Sequence, residues 1–246
     1  MSNDDAYVTD DAEGQGWRLM LGDSCERLGE LADASVDLSV CSPPFASLYT
    51  YSPSQRDLGN SFDRDEFLEH YGYIVAEQLR VTKPGRLACI HVQQLSTTKA
   101  THGIIGLTDF RGQVIAAFQA KGWIYHSEVT IDKDPQAQAI RTKAQALMFQ
   151  TLHRDSASTR PALADYLIVV TGPSHLPLIE RCVRLWSMPG ELVLSPFAGI
   201  GSEGYVAVKH GRRFVGIELK ASYWKTAVEN LRAVEAQASM DFGAVA

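Results

Sequence analysis

A chain of 246 residues is long enough for one well-buried α/β domain, alone or with a small appendage, and too short for two full domains. With 45% hydrophobic and 21% charged residues it is neither disordered nor fibrous, and a formal net charge of −6 argues against a surface that grips phosphate all over. No run approaches the roughly eighteen apolar residues of a membrane span, and Met1 to Glu13 is acidic and polar where an export signal would be basic and then apolar. A cytoplasmic protein with no membrane partner is therefore expected. The four cysteines, Cys25, Cys41, Cys89 and Cys182, form no Cys-x-x-Cys pair, so they read as buried thiols and no metal site is expected.

Residues 1–17 read as a flexible N-terminus ahead of a single domain over 18–240, with halves at 18–171 and 172–240. Val36 to Val40 is a short, β-branched apolar run that ends at Ser42-Pro43-Pro44, because two prolines cannot continue a ladder. Phe67, Leu68, Tyr71, Ile74, Val75 and Leu79 then recur at helical spacing. Lys83-Pro84-Gly85 stops that helix before a strand over Arg86 to Val92. A helix follows over Phe110 to Lys121, with strands over Trp123 to Ile131 and Tyr166 to Val170. Between those strands, Asp132 to Pro161 is polar, with a helix expected near Ala137 to Leu152.

The C-terminal third carries the clearest pattern. It predicts a helix over Leu178 to Trp186, a turn at Pro189-Gly190, a strand over Glu191 to Leu194, a glycine loop, a helix to His210, a strand over Phe214 to Ile217 and a helix over Ser222 to Ala236. Strands alternating with helices place the chain in the α/β class, with a mostly parallel sheet and helices on both faces. Ligands in such sheets sit beyond the carboxyl ends of the strands, where the loops at Ser42 and Ser195 both begin.

Ser195-Pro196-Phe197-Ala198-Gly199-Ile200-Gly201-Ser202-Glu203-Gly204 joins a strand to a helix. Gly199 and Gly201 let the backbone turn sharply and approach a ligand closely. Glu218 ends the next strand, where a carboxylate can accept hydrogen bonds from ribose hydroxyls. A nucleoside pocket follows. Gly199-x-Gly201-x-x-Gly204 also satisfies the dinucleotide fingerprint, so a nicotinamide oxidoreductase stays open, with His91, His126 or His153 as its acid–base group. In the first loop, Ser42 through its hydroxyl and Pro43 through its carbonyl suit a pair of acceptors for an amine that attacks a methyl group. Pro44 stiffens the turn, and Phe45 offers a ring on which an extruded base can stack. A rigid Pro-Pro turn with an aromatic plug would carry the same residues.

Taken together, the short strand with Ser-Pro-Pro-Phe and the later Pro-Phe-Ala-Gly-x-Gly loop resemble the permuted (beta-class) DNA amino-methyltransferases, in which the catalytic half precedes the cofactor half. Gly22-Asp23-Ser24 and Ser35-Val36-Asp37-Leu38 also look like that family, and the resemblance runs from about Arg18 to Leu231. It implies a Rossmann-like methyltransferase sheet, S-adenosylmethionine as cofactor, DNA as partner and a restriction-modification setting. It places Asp23 near the adenine, Ser195, Pro196, Phe197, Gly199 and Gly201 around the methionine and ribose, and Glu218 on the ribose hydroxyls. Asp23 also reads as an ordinary helix cap.

The resemblance further places Ser42, Pro43, Pro44 and Phe45 at the reacting amine. Serine at 42 favours cytosine N4 over adenine N6, and an RNA or protein amide is a further alternative. Ser195 departs from the family's usual aspartate, which removes a carboxylate from the cofactor's methionine end. The target-recognition region is also very short, since Val170 leads within a few residues to the Leu178 helix. Recognition then falls to Ala46 to Arg64, with Tyr49, Tyr51, Gln55 and Arg56, or to Lys133 to Arg160, or to a homodimer or separate recognition partner.

Overall fold

The computed structural model describes residues 7–44, 56–58, 64–97, 99, 103, 106–132, 164–170 and 176–243. Phe45, most of the loop to Arg64 and the segment Lys133 to Arg160, with its expected helix near Ala137 to Leu152, lie outside them. An eight-stranded sheet organises the rest. In chain order its strands are β1 (Asp10–Gly14), β2 (Trp17–Leu21), β3 (Val36–Cys41), β4 (Thr82–Gln93), β7 (Tyr125–Asp132), β8 (Ala164–Val170), β9 (Leu192–Ser195) and β10 (Arg213–Glu218). Two short strands, β5 (Leu95–Thr97) and β6 (Gly106–Thr108), pair separately. The helices are α1 (Ser24–Arg27), α2 (Arg64–Val81), α3 (Phe110–Ala120), α4 (Leu176–Trp186), α5 (Ser202–Lys209) and α6 (Ala221–Gly243).

Spatial order across the sheet is β1-β2-β10-β9-β3-β4-β8-β7. The five strands from β2 to β4 run parallel, while β1 and β8 pair antiparallel with their neighbours. The fold is the expected α/β class. Every residue of β3 is buried, as befits a strand covered on both faces. Even Asp37 is inside. Burial raises the pKa of its carboxyl, but Lys83 Nζ at 2.7 Å and the Leu192 N–H, donating at 3.0 Å, outweigh it and leave the pKa below the ordinary carboxylate value. The Leu192 contact ties the start of β9 to β3, and the Lys83 contact ties β4 to the same strand.

One core layer gathers Phe67, Tyr71, Ile74, Val75, Phe110, Val114 and Phe118 from α2 and α3 against the sheet. The other gathers Cys182, Val183, Val206, Ala207, Ala227 and Leu231 from α4, α5 and α6. Cys41, Cys89 and Cys182 are buried free thiols, as expected.

Two expectations are corrected. The N-terminus is not loose throughout 1–17: Asp10–Gly14 forms an edge strand on β2, and Arg18 Nε holds Asp11 at 2.8 Å. The ladder and the ion pairs order a stretch whose only buried side chain is Ala12. Lys83-Pro84-Gly85 does not separate helix from strand either, because β4 begins at Thr82, directly after α2. The irregularity is instead absorbed by a slip in the β3–β4 register between Val36 and Leu38.

Candidate active site

Strands β9 and β3 are neighbours, pairing Leu38 with Val193 and Ser39 with Leu194, so the loops after Ser195 and Cys41 open on one edge. After β9 the chain turns through Pro196 to Gly201, where the Gly201 N–H donates to Ala198 O at 2.7 Å. Gly201 has a φ of +84° and serves as the N-cap of α5. A Cβ there would stand 3.0 Å from Ala227 Cβ and 3.2 Å from its Cα, so both conformation and space call for glycine.

Glu218 closes β10 beside this turn. Its Oε2 accepts the Gly199 N–H and its Oε1 the Lys220 N–H, each at 2.8 Å. Each oxygen keeps a lone pair for a ligand. Burial pushes the carboxyl up to about 7, helped by the charge of Asp57 and opposed by those two backbone donors. Glu203, in the first turn of α5, is also raised to about 7, by burial and by the charge of Glu218. The residue is half-buried and lines the cavity described below.

Asp23 caps α1, accepting the Cys25 N–H at 2.9 Å, and its other oxygen lies 3.2 Å from Arg56 Nη1. Asp23 is thus a helix cap, and it also lines that cavity. Arg56 stacks over the Tyr7 ring at 4.2 Å and reaches Glu26 at 2.5 Å. It was expected among the recognition residues, and here it is anchored at the Asp23 end of the site. Ser24 Oγ donates to Pro196 O at 2.5 Å, which clips α1 to the glycine turn.

Beyond β3, Ser42, Pro43 and Pro44 face the same space. Ser42 Oγ lies 3.3 Å from His91 Nδ1 and 3.3 Å from His91 O on the adjacent strand. One cavity of about 540 Å³ is lined by Asp23, Ser42, Pro43, Pro44, Pro196, Phe197, Gly199 and Glu218, together with Ser24, Arg56, Asp57, Glu203, Lys220 and Tyr223. The structure thus brings together most of the residues singled out in the sequence. Ser195 and Gly201 are the exceptions: neither lines the cavity, and Ser195 is wholly buried at the end of β9. Phe45 lies outside the described residues.

Sequence reading passed over Glu203, although an acid in the first turn after a glycine loop is a legible signal. It also left His91 as a residue for a different chemistry, since its partners come from other strands. Among the described residues no cluster of metal-ligating side chains occurs, and no helix is long and apolar enough to cross a membrane.

Residues 173–229 match the family model described as DNA methylase. The matched stretch runs from before α4 into α6 and contains the glycine turn, Glu203 and Glu218. The DNA adenine methyltransferase YhdJ of Escherichia coli K12 is 43% identical over 61 residues, covering 24% of this chain and about a fifth (21%) of that relative.

At lower identity the likeness spans most of the chain: the type II methyltransferase M.Cfr9I of Citrobacter freundii is 23% identical over 284 residues, 94% of this chain and 93% of that relative. A Thermus thermophilus protein assigned as a DNA modification methylase, solved in complex with S-adenosyl-L-methionine, superposes with a TM-score of 0.68 at 22% identity over 87% of this chain and 94% of that one. The cytosine-N4-specific PvuII DNA methyltransferase superposes with a TM-score of 0.66 at 14% identity over 89% and 91%. At these identities the likeness establishes a methyltransferase fold.

Proposed function

We propose that this chain transfers a methyl group from S-adenosylmethionine to an exocyclic amine of a DNA base, cytosine N4 foremost. One observation carries the reading: Ser42-Pro43-Pro44 and the glycine turn with Glu218, far apart in the chain, line a single cavity beyond the ends of β3, β9 and β10. The cavity fits the cofactor. Its volume is in the range of small-molecule sites. Glu218 presents a carboxylate suited to ribose hydroxyls, and Glu203 adds a second acid to the same lining, which suits a cationic ligand.

When bound, S-adenosylmethionine supplies an electrophilic methyl on a sulfonium sulfur. Asp23 and Arg56 would border its adenine, and Pro196 to Gly201 its methionine and ribose. Ser42 Oγ and the Pro43 carbonyl would accept from the amine N–H groups and draw the nitrogen lone pair out of conjugation with the base. Phe45 would stack the extruded base.

Adenine N6 is the second reading, favoured by the adenine specificity in the name of the E. coli relative. The methylase match across the glycine turn weighs against a nicotinamide enzyme. We assign target recognition to the segments Ala46 to Arg64 and Lys133 to Arg160, or to a second subunit, homodimeric or separate.

The test is incubation of the purified chain with unmethylated DNA and S-adenosylmethionine, followed by nucleoside mass spectrometry. N4-methylcytosine supports the reading, and N6-methyladenine keeps the mechanism while overturning the base assignment. Absence of any methylated base, with cofactor bound, refutes it for this chain acting alone.

A further inference from the structure

From Ser42, just past the end of β3, a row of three side chains runs through His91 on β4 to Asp165 on β8. Sheet register puts them there. Cys41 pairs with Ile90, so Ser42 falls beside His91; His91 pairs with Leu167 and Gln93 with Asp165, so His91 and Asp165 are diagonal neighbours across the antiparallel pair. Alternation then places all three on one face. Val40, Cys89 and Leu167, each two residues from its partner in the row, belong to the same core layer.

Contact distances follow from that placement. Ser42 Oγ is 3.3 Å from His91 Nδ1, and His91 Nε2 is 3.1 Å from Asp165 Oδ2. The His91 and Asp165 side chains are 18% and 11% exposed, so the row is largely shielded from solvent. Neither His91 nor Asp165 lines the cavity, and Ser42 does.

The charge of a carboxylate 3.1 Å from Nε2 favours the tautomer with its proton on that nitrogen, which leaves the Nδ1 lone pair to accept from a hydroxyl. From this row we infer that His91, held by Asp165, acts through Ser42 to take up the proton that the target amine must lose. The inference rests on the methyltransferase reading above. In the step, the amine lone pair forms the new N–C bond while the C–S bond breaks and its electron pair stays on sulfur. The methylated nitrogen is then positively charged. It releases one proton to Ser42 Oγ as the Ser42 hydroxyl proton moves to His91 Nδ1. His91 becomes an imidazolium at ion-pair distance from the Asp165 carboxylate, and the base product leaves neutral. His91 and Asp165 are positioning residues in this scheme, since only Ser42 reaches the substrate.

Two measurements test it. The first needs no cofactor: 15N NMR of histidine-labelled protein. His91 should show the Nε2–H tautomer with Nδ1 as acceptor, Ser42→Ala should shift the Nδ1 resonance, and Asp165→Asn should raise the share of the Nδ1–H form. The second is single-turnover methylation by wild type and His91→Gln, with cofactor affinity measured separately. Glutamine keeps a polar partner near Ser42 but cannot take a proton. The rate should fall on the order of 100-fold, as for loss of a general base, with cofactor affinity unchanged. In His91→Ala, added imidazoles should restore part of the rate in proportion to their basicity, which a merely structural role would not produce.

A predominant Nδ1–H tautomer in the wild type, or a His91→Gln chain as fast as wild type, overturns the inference. An inactive wild type whose His91 shows the expected tautomer would instead count against the methyltransferase reading itself.

Discussion

Glu218 ties the electrostatics of the cavity to a measurable pH dependence. Its carboxyl is pushed up to about 7, chiefly by burial, whereas a ribose-binding role requires the carboxylate. At pH 6 roughly one molecule in ten is ionised and at pH 5 about one in a hundred. Cofactor binding must then release a proton. Affinity should therefore rise with pH, about tenfold per unit below 7, and level off above it. Glu218→Gln removes the part of the dependence that this carboxyl contributes and forfeits charge-assisted hydrogen bonds worth about 1.5–3 kcal/mol, a loss of roughly 10- to 150-fold in affinity.

The substitution has a second cost. An amide cannot accept from both Gly199 and Lys220, so one backbone N–H loses its partner, for about 1–3 kcal/mol of folding stability. Calorimetric titration with S-adenosylhomocysteine from pH 5 to 9, in buffers of differing ionisation enthalpy, reads affinity and proton release together. The same titration on Glu203→Gln separates the two acids. A wild-type affinity that is flat between pH 5 and 8 would refute the reasoning, as would a Glu218→Gln chain that binds like wild type.

Ser42→Ala should lower methyl transfer on the order of 100-fold while leaving cofactor affinity unchanged, checked by single-turnover assay and calorimetry. Gly204→Ala puts a Cβ 2.5 Å from Phe214 Cε1 and 2.8 Å from Leu231 Cδ2, an overpacking that should cost about 1–3 kcal/mol in denaturant unfolding. Folding stability should respond to Glu203 as well. Between about 4.5 and 7 the folded chain keeps a proton that the unfolded chain has released, so this acid makes stability fall as pH rises through that window. Glu203→Gln should gain on wild type by about 1–3 kcal/mol between pH 5 and pH 8 in urea titrations, and a constant difference would contradict the buried placement of the carboxyl.

The elements legible in the sequence are those whose own side chains form the core. Phe67, Tyr71, Ile74 and Val75 in α2 announce themselves by helical spacing because one face of that helix is buried. Strand β3 reads as a continuous run because both its faces are covered. Strand β1 has no such pattern. Asp10-Asp11-Ala12-Glu13-Gly14 becomes a strand through the ladder it borrows from β2 and through Arg18 and Arg27 on Asp11, neither of which is a property of those five residues.

The site divides on the same line. Glu218 and the glycine turn are legible because one strand–turn–helix unit and the strand after it supply them locally, so their spacing along the chain survives folding. The row from Ser42 to His91 and Asp165 depends on β8 pairing antiparallel with β4, in a register that sets Gln93 opposite Asp165. A shift of one residue would turn Asp165 to the opposite face and leave His91 facing a backbone position, with the same sequence and the same predicted strands. The inferred proton path is therefore a property of strand pairing, and a histidine read alone from the sequence carries no trace of it.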